Sequence, residues 1–411
     1  MTPQEQDRPG PVALLAAGCG TAIASVCALG LVQIQRTLSG AWAVGAVVTA
    51  GALCLVLARA FSRLTHVVPS GAGLPAFLSR AFGRRLGLRM ALPYLLLMIA
   101  LAGVETRIVG VLLRGALGVP AWCGAAAFLL VAWAVCRRGI RPGYRVQIAA
   151  TAVLVVLLGA LAVVSLVRAP AGALTGAAPP SPAAFLAAVG QAFFLFLGFE
   201  LLTSHVEVAG SPRPIGRALR HTVWVLIFFY SLLAAGFAAE PARTDGIDWL
   251  TPQVGMAQAA GGAPAAVAVV VACLLASYTS FAGALLALSR LVQVLAGQGV
   301  FPRPLARLDP RVLVPTRALD ALTLTGALAA VAIDGRAATL AVLGAAAAAA
   351  TLVYAGVLLA RERPPFREEG RARGAGLAAA ALAVALLALG AGALWEALPP
   401  VARILEVVHA R

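Results

Sequence analysis

Residues 192–214 read AFFLFLGFELLTSHVEVAGSPRP, from Ala192 to Pro214. The stretch opens as a membrane helix, a run of Phe and Leu that meets Gly198. It then takes on Glu200, Thr203, Ser204, His205 and Glu207 before an exit rich in Arg and Pro. Glu200, Thr203, Ser204 and Glu207 follow i, i+3, i+4, i+7, one stripe on a helix. A carboxylate near the bilayer centre costs about 2.5–3.5 kcal/mol on insertion scales. The stripe must therefore face protein or water, not lipid. The outer half, up to Phe196, packs in an apolar setting, and the inner half lines a polar route. Glu207 reads equally well as a residue at the membrane surface. Glu200, two residues past Gly198, reads as the coupling or gating residue of that route.

The rest of the chain supports a membrane reading. It has 411 residues, 61% hydrophobic and 12% charged, with a mean hydropathy of +0.93. Apolar runs of about 20 residues recur from end to end, the signature of an all-α integral membrane protein. Eleven spans are expected, at 11–34, 41–62, 90–113, 119–136, 146–167, 183–208, 220–239, 264–289, 318–333, 337–360 and 375–395. They fill one transmembrane domain over residues 1–411, with a core at 11–360, an extra helix at 375–395 and a short tail at 399–411. The first ten residues carry no basic leader, so the first span reads as retained.

A net charge of +16 would suggest nucleic acid in a soluble protein, but here it reads as topology. All 32 basic residues are Arg. With the N-terminus in the cytoplasm, 24 fall on inner segments or the inner ends of spans, 7 on outer ones and Arg107 deeper within a span. That alternation obeys the positive-inside rule. It places the chain in the cytoplasmic membrane as a multi-pass protein, with anionic lipid as partner on the cytoplasmic face. No nucleic-acid partner is expected. The six cysteines lie in or at the ends of spans and read as small buried hydrophobes. The four histidines are scattered, so no metal site is expected.

Membrane backbone must satisfy its own hydrogen bonds, so a broken span survives only against protein or a wet cavity. Two spans look breakable. The first, LLAAGCGTAIASVCALG, has Gly18, Gly20 and Thr21 near its middle, and the sixth has Gly198. They lie five spans apart, and paired broken helices in corresponding halves point to a transporter site at the midplane. Close helix packing explains such glycines equally well. The eighth span adds Ser277 and Ser280, whose hydroxyls suit a small cation, a substrate or simple helix–helix contacts. In the third span Glu105 and Arg107 point to different faces, so each needs a partner on another helix. One of the two is expected at the aqueous pathway.

Four segments, in order, resemble the amino acid–polyamine–organocation superfamily of transporters. Gly20 to Ala24 is similar to the Gly-x-Gly break of its helix 1. VPSGAGLPAFLSRAFG, Val68 to Gly83, resembles the loop after helix 2. FLFLGFELLTSHVEVAGSPRPIGRAL resembles the Phe-x-Gly-x-Glu break of helix 6 and its exit. ALLALSRLVQVLAGQGVFPRPLARLDPR resembles helix 8 and its tail. The length and span count are most similar to compact bacterial exporters of neutral and hydrophobic amino acids. The resemblance implies a LeuT-like core, ten helices in a 5+5 inverted repeat with helices 1 and 6 broken around the substrate. Gly20, Thr21, Ala22 and Ile23 would then cradle a carboxylate, and Phe194, Phe196, Leu197 and Gly198 the ammonium and side chain. Three positions depart from the pattern. Ala22 replaces a glycine, Gln298 precedes Gly299 where Asp is usual, and Leu154 stands where several sodium-independent relatives carry Lys. The last leaves room for a cation near Ser277 and Ser280. No cofactor is implied, and coupling to a proton or sodium ion stays open, as does monomer or homodimer.

The function that follows is secondary transport of small, neutral or hydrophobic amino acids by alternating access, with export as one direction. A sensor or channel on the same scaffold, or a carrier of amines or polyamines, are the alternatives. An enzyme is disfavoured: the chain has no Lys for a Ser/Lys pair and no clustered His, Asp or Glu.

Overall fold

The computed structural model describes residues 9–169, 172–175, 178–239, 249–312, 314–367 and 374–397. Among them the regular structure is helical, apart from one isolated bridge between Asp309 and Val314. The chain opens with α1 (Pro11–Ala22) and α2 (Ser25–Thr37), then α3 (Ala41–Val67), α4 (Leu74–Phe82) and α5 (Arg84–Leu117). There follow α6 (Ala121–Arg137), α7 (Ile140–Val167) and α8 (Pro182–Phe194). A 3-10 segment (Phe199–His205) and α9 (Val206–Ala209) lead into α10 (Pro212–Ala239) and α11 (Pro252–Gly297). The chain ends with α12 (Thr316–Ala332), α13 (Gly335–Arg361) and α14 (Gly374–Ala397).

Local chemistry sets several of these ends. Pro182 sits in the first turn of α8, where its missing N–H is no loss, and the Ser181 side chain caps Ala184 N at 3.2 Å. Asp334 caps α13 by accepting from Gly335 N at 2.9 Å. Gly118 closes α5 in the left-handed conformation.

Each of the eleven expected spans coincides with a helix or a broken pair. Among the described residues seven are long and apolar enough to cross a bilayer, and the bent pair α1–α2 makes an eighth. The helices α6 and α12 have 17 residues each. At 1.5 Å per residue they reach about 25 Å, just under a hydrocarbon core of about 30 Å. The expected tail at 399–411 lies outside the described residues. Two helical stretches went unread in the sequence. The loop after the second span contains α4, and α11 begins at Pro252, with a kink at Gly262 before the apolar run.

The broken helices run through the middle of the bundle. The segment Pro182–Ala209 has 78% of its most apolar window buried, the largest share among the seven long spans. It meets α1 at the 3-10 segment, and both are enclosed by α10 and α11. The far side of α1 packs on α7, and α2 packs on α8. Elsewhere α14 lies along α13, and α10 also packs along α3.

The sixth span breaks where the sequence placed it. Gly198 has φ +109°, a conformation other residues rarely hold, and an added Cβ would lie 3.0 Å from the Thr21 carbonyl oxygen. The first span breaks later than expected. Gly18 and Gly20 remain helical, and the extended residues are Ile23 and Ala24, with a bend of 56° between α1 and α2. The two glycines serve close packing instead, Gly18 against Thr222 and Gly20 against Gln147 and Thr151.

Candidate functional site

A broken helix exposes carbonyls on one side of the gap and N–H groups on the other. Here side chains satisfy both sets. At the end of α1 the Thr21 carbonyl accepts from the Ser280 hydroxyl at 2.9 Å, and the Ala22 carbonyl from the Tyr230 hydroxyl at 2.9 Å. At the start of α2 the buried Glu105 carboxylate reaches across from α5. Ser25 N donates to its Oε1 at 2.7 Å and Val26 N to its Oε2 at 3.3 Å. The Ser277 hydroxyl donates to the same Oε1 at 2.6 Å. The Ser25 hydroxyl, 2.8 Å from that of Ser277, bonds the Cys273 carbonyl at 2.6 Å. A carboxylate on the positive end of a helix is the arrangement the macrodipole favours. Its bonds to backbone N–H are of the stronger, charge-assisted kind.

The gap in the sixth span is closed by its own carboxylate. Gly198 N donates to Glu200 Oε2 at 3.0 Å, and the Tyr94 hydroxyl of α5 donates to Oε1. Tyr354 of α13 stands beside them, its ring edge-on to Phe193 and Phe61 and tilted on Phe199. Glu200 thus ties helix α5 to the break from a buried position. Past it the polar stripe turns outward. Thr203 is buried, Ser204 half-buried and Glu207 exposed. The segment is 3-10 rather than α, so its side chains repeat every three residues.

A cavity of about 520 Å³, its open mouth included, lies beside both breaks. Four residues anticipated for the substrate line it: Thr21, Ala22, Phe194 and Leu197. So do Glu105 and Ser280, with Met98, Leu101 and Phe281 adding apolar wall. The other four do not. Gly20 is packed inside α1, Ile23 is buried, Phe196 sits edge-on to Tyr230, and Gly198 abuts Thr21. Ser277 and Ser280 do not converge on one point: the first turns to Glu105, the second to Thr21. The polar lining groups are Thr21, Cys27, Ser280 and Glu105. The first three donate to the carbonyls of Ala17, Ala22 and Thr21, which leaves Glu105 as the charged group on the wall.

Arg107 belongs elsewhere. It pairs with Asp334 at 2.8 Å and donates to the Ile333 carbonyl, tying α5 to the turn between α12 and α13. The Arg107 guanidinium holds the Asp334 carboxyl below the usual aspartate range. The i, i+2 spacing explains why Glu105 faces α2 and α11 while Arg107 faces that turn.

Sequence reasoning missed Tyr94 and Tyr230, because a tyrosine in an apolar run gives no local sign that its hydroxyl will meet a broken helix. It also missed a second cavity of about 530 Å³, its mouth included, one turn along α1 and α11 toward the arginine-rich end. Tyr144, His205 and Arg290 line it.

The model for the amino acid permease family matches residues 14–398. No curated protein matches the sequence significantly. Among solved structures, a Na+-coupled sialic acid symporter in a substrate-bound outward-open state is similar, at 12% identity and a TM-score of 0.62. The match covers 94% of this chain and 90% of that one. Mhp1, a nucleobase-cation-symport-1 family transporter in a closed conformation with bromovinylhydantoin bound, is similar at 16% identity and a TM-score of 0.62. There the match covers 98% and 94%. At such identities the likeness shows the fold, the LeuT-like arrangement around two broken helices.

Proposed function

The chain belongs to the amino acid permease family, and from that premise we propose that it carries small, neutral or hydrophobic amino acids by alternating access. Secondary transport, rather than enzymatic turnover, follows from the family and the fold. The finer reading is supported by one observation above all. The cavity beside the two breaks is walled by Ala22, Phe194, Leu197, Met98 and Phe281, and among the described residues its charged group is Glu105. Apolar walls favour aliphatic side chains, about 0.8 kcal/mol for each buried methylene. A carboxylate without a cationic neighbour in the wall favours an ammonium and disfavours an acidic side chain. Glu105 and Glu200 are the coupling candidates. Each holds the backbone at one break, so a change in its charge alters the bonds that keep that break in place. Export rests on the resemblance to compact exporters. The cytoplasmic N-terminus and inner-membrane location rest on the arginine asymmetry.

The test is a panel of radiolabelled amino acids in proteoliposomes, with and without imposed pH and sodium gradients. Leucine, isoleucine, valine or methionine should accumulate, and one gradient should drive it. Preference for arginine, agmatine or glutamate would overturn the substrate reading.

A further inference from the structure

The second cavity has the opposite polarity to the first. It lies between α1, α7, the 3-10 segment and α11, and the charged side chain on its wall is Arg290. The Arg290 side chain is 15% exposed. Across from it the Tyr144 hydroxyl is buried with no hydrogen-bond partner among the described residues, and the Tyr144 ring lies 5.9 Å from that of His205. An unpaired buried hydroxyl leaves hydrogen bonding unclaimed, which a ligand can satisfy. A guanidinium and a phenol hydroxyl facing one space are a donor set, and the ligand they suit is a carboxylate.

The position makes this more than an isolated anion hole. Ala17 lines the second cavity and Thr21, one turn on, lines the first. Gly283 and Ser280 of α11 stand in the same relation. Between the cavities the Thr21 side chain rests on Gly283, where an added Cβ would collide with its hydroxyl. The second cavity is therefore the next space along the broken helices toward the arginine-rich end. Arg290, on its wall, also belongs to a clasp. Glu207 approaches Arg290 at 3.7 Å and accepts from Gly71 N at 2.8 Å, joining α9, α11 and the loop between α3 and α4.

We propose that this cavity is a second solute station, where the carboxylate of an amino acid docks on the Arg290 guanidinium and the Tyr144 hydroxyl. An arriving carboxylate competes with Glu207 for Arg290, so docking loosens the clasp that closes the arginine-rich end. The proposal rests on the transporter reading above and adds to it where, and by which group, the solute is held on the way to or from the cytoplasm.

The experiment measures leucine flux in right-side-out and inside-out membrane vesicles containing the full chain. The inhibitors are 4-methylpentanoate, which keeps the carboxylate and lacks the amine, leucinamide, which lacks the carboxylate, and inorganic phosphate. The station predicts inhibition by 4-methylpentanoate from the arginine-rich face alone and at least tenfold weaker inhibition by leucinamide and phosphate from that face. Tyr144→Phe, which removes one oxygen, should raise the 4-methylpentanoate concentration for half-inhibition about tenfold. Equal inhibition from both faces, equal potency of phosphate, or an unchanged Tyr144→Phe protein would overturn it. Inhibition that appears only when the vesicles hold anionic lipid would assign the cavity to a lipid headgroup and overturn it as well. The sided comparison on the unmodified protein needs no variant to fold. If leucine flux is saturable while these predictions fail, only the second station falls. If no solute moves through the folded protein, the transporter reading falls with it.

Discussion

The Glu105 carboxylate lies 2.7 Å from the backbone nitrogen of Ser25, across 80 residues of chain, and so caps the helix that resumes after the first break. The break exists because three distant helices, α5, α10 and α11, complete it. Glu105 supplies the acceptor for α2, and Tyr230 and Ser280 supply the donors for α1. None of these bonds is available to an unbroken helix, whose backbone groups are already paired.

Removing the cap should therefore be costly. Glu105→Ala leaves two buried N–H groups and the Ser277 hydroxyl without their acceptor, a loss of about 3 kcal/mol or more. Glu105→Gln keeps one acceptor oxygen and should lose roughly half as much. Thermal unfolding of the purified variants in detergent measures the order: Gln between wild type and Ala.

At the other break, Glu200→Gln keeps the shape and an oxygen for the Tyr94 hydroxyl but cannot titrate. If Glu200 couples transport to protons, the variant should keep binding and counterflow and lose the pH dependence of net flux. Wild-type net flux across pH 5–8 would relegate Glu200 to a structural clasp and leave Glu105 as the coupling candidate.

Gly198→Ala should weaken the protein at the same place. The residue holds φ +109°, and the new Cβ would press on the Thr21 carbonyl. The backbone strain alone is about 1–2 kcal/mol, so both the unfolding temperature and the flux should fall. Gly115→Ala, in a helix with open space around that position, serves as the control.

How much of this was legible in the sequence follows from what is local. Gly198 was readable because a positive φ demands glycine and because the carboxylate two residues on accepts from its N–H. The first break was misplaced by a few residues because its signal is tertiary. Ile23 and Ala24 carry no mark of it, while Gly18 and Gly20, which drew attention, are used for contact with Thr222 and Gln147. The separation of Glu105 from Arg107 was readable from their spacing, but their partners, Ser25 and Asp334, were not. The second cavity was hidden because Tyr144, His205 and Arg290 come from three helices and none is unusual on its own.

The Arg107–Asp334 pair gives a pH prediction away from the membrane-spanning helices. Asp334 titrates below its unfolded range because of Arg107, so its stabilising contribution is present at neutral pH. That contribution falls away as the pH drops from the unfolded value of about 3.9 through the folded one. Asp334→Asn should lower the unfolding temperature slightly at pH 7, and the gap to wild type should close in strong acid. Because Asp334 is exposed, a gap that grows on acidification would mean that the pair is not its source.

The central claim is that this chain moves a solute through the cavity beside two broken helices. Counterflow in proteoliposomes tests it most directly: vesicles loaded with unlabelled L-leucine, radiolabelled L-leucine outside, no ion gradient. The account predicts transient uptake that saturates with concentration, is suppressed by external L-leucine more than by D-leucine, and is lost when Ala22, on the cavity wall, is replaced by Trp. Uptake that rises linearly with concentration, ignores stereochemistry and survives Ala22→Trp would contradict it.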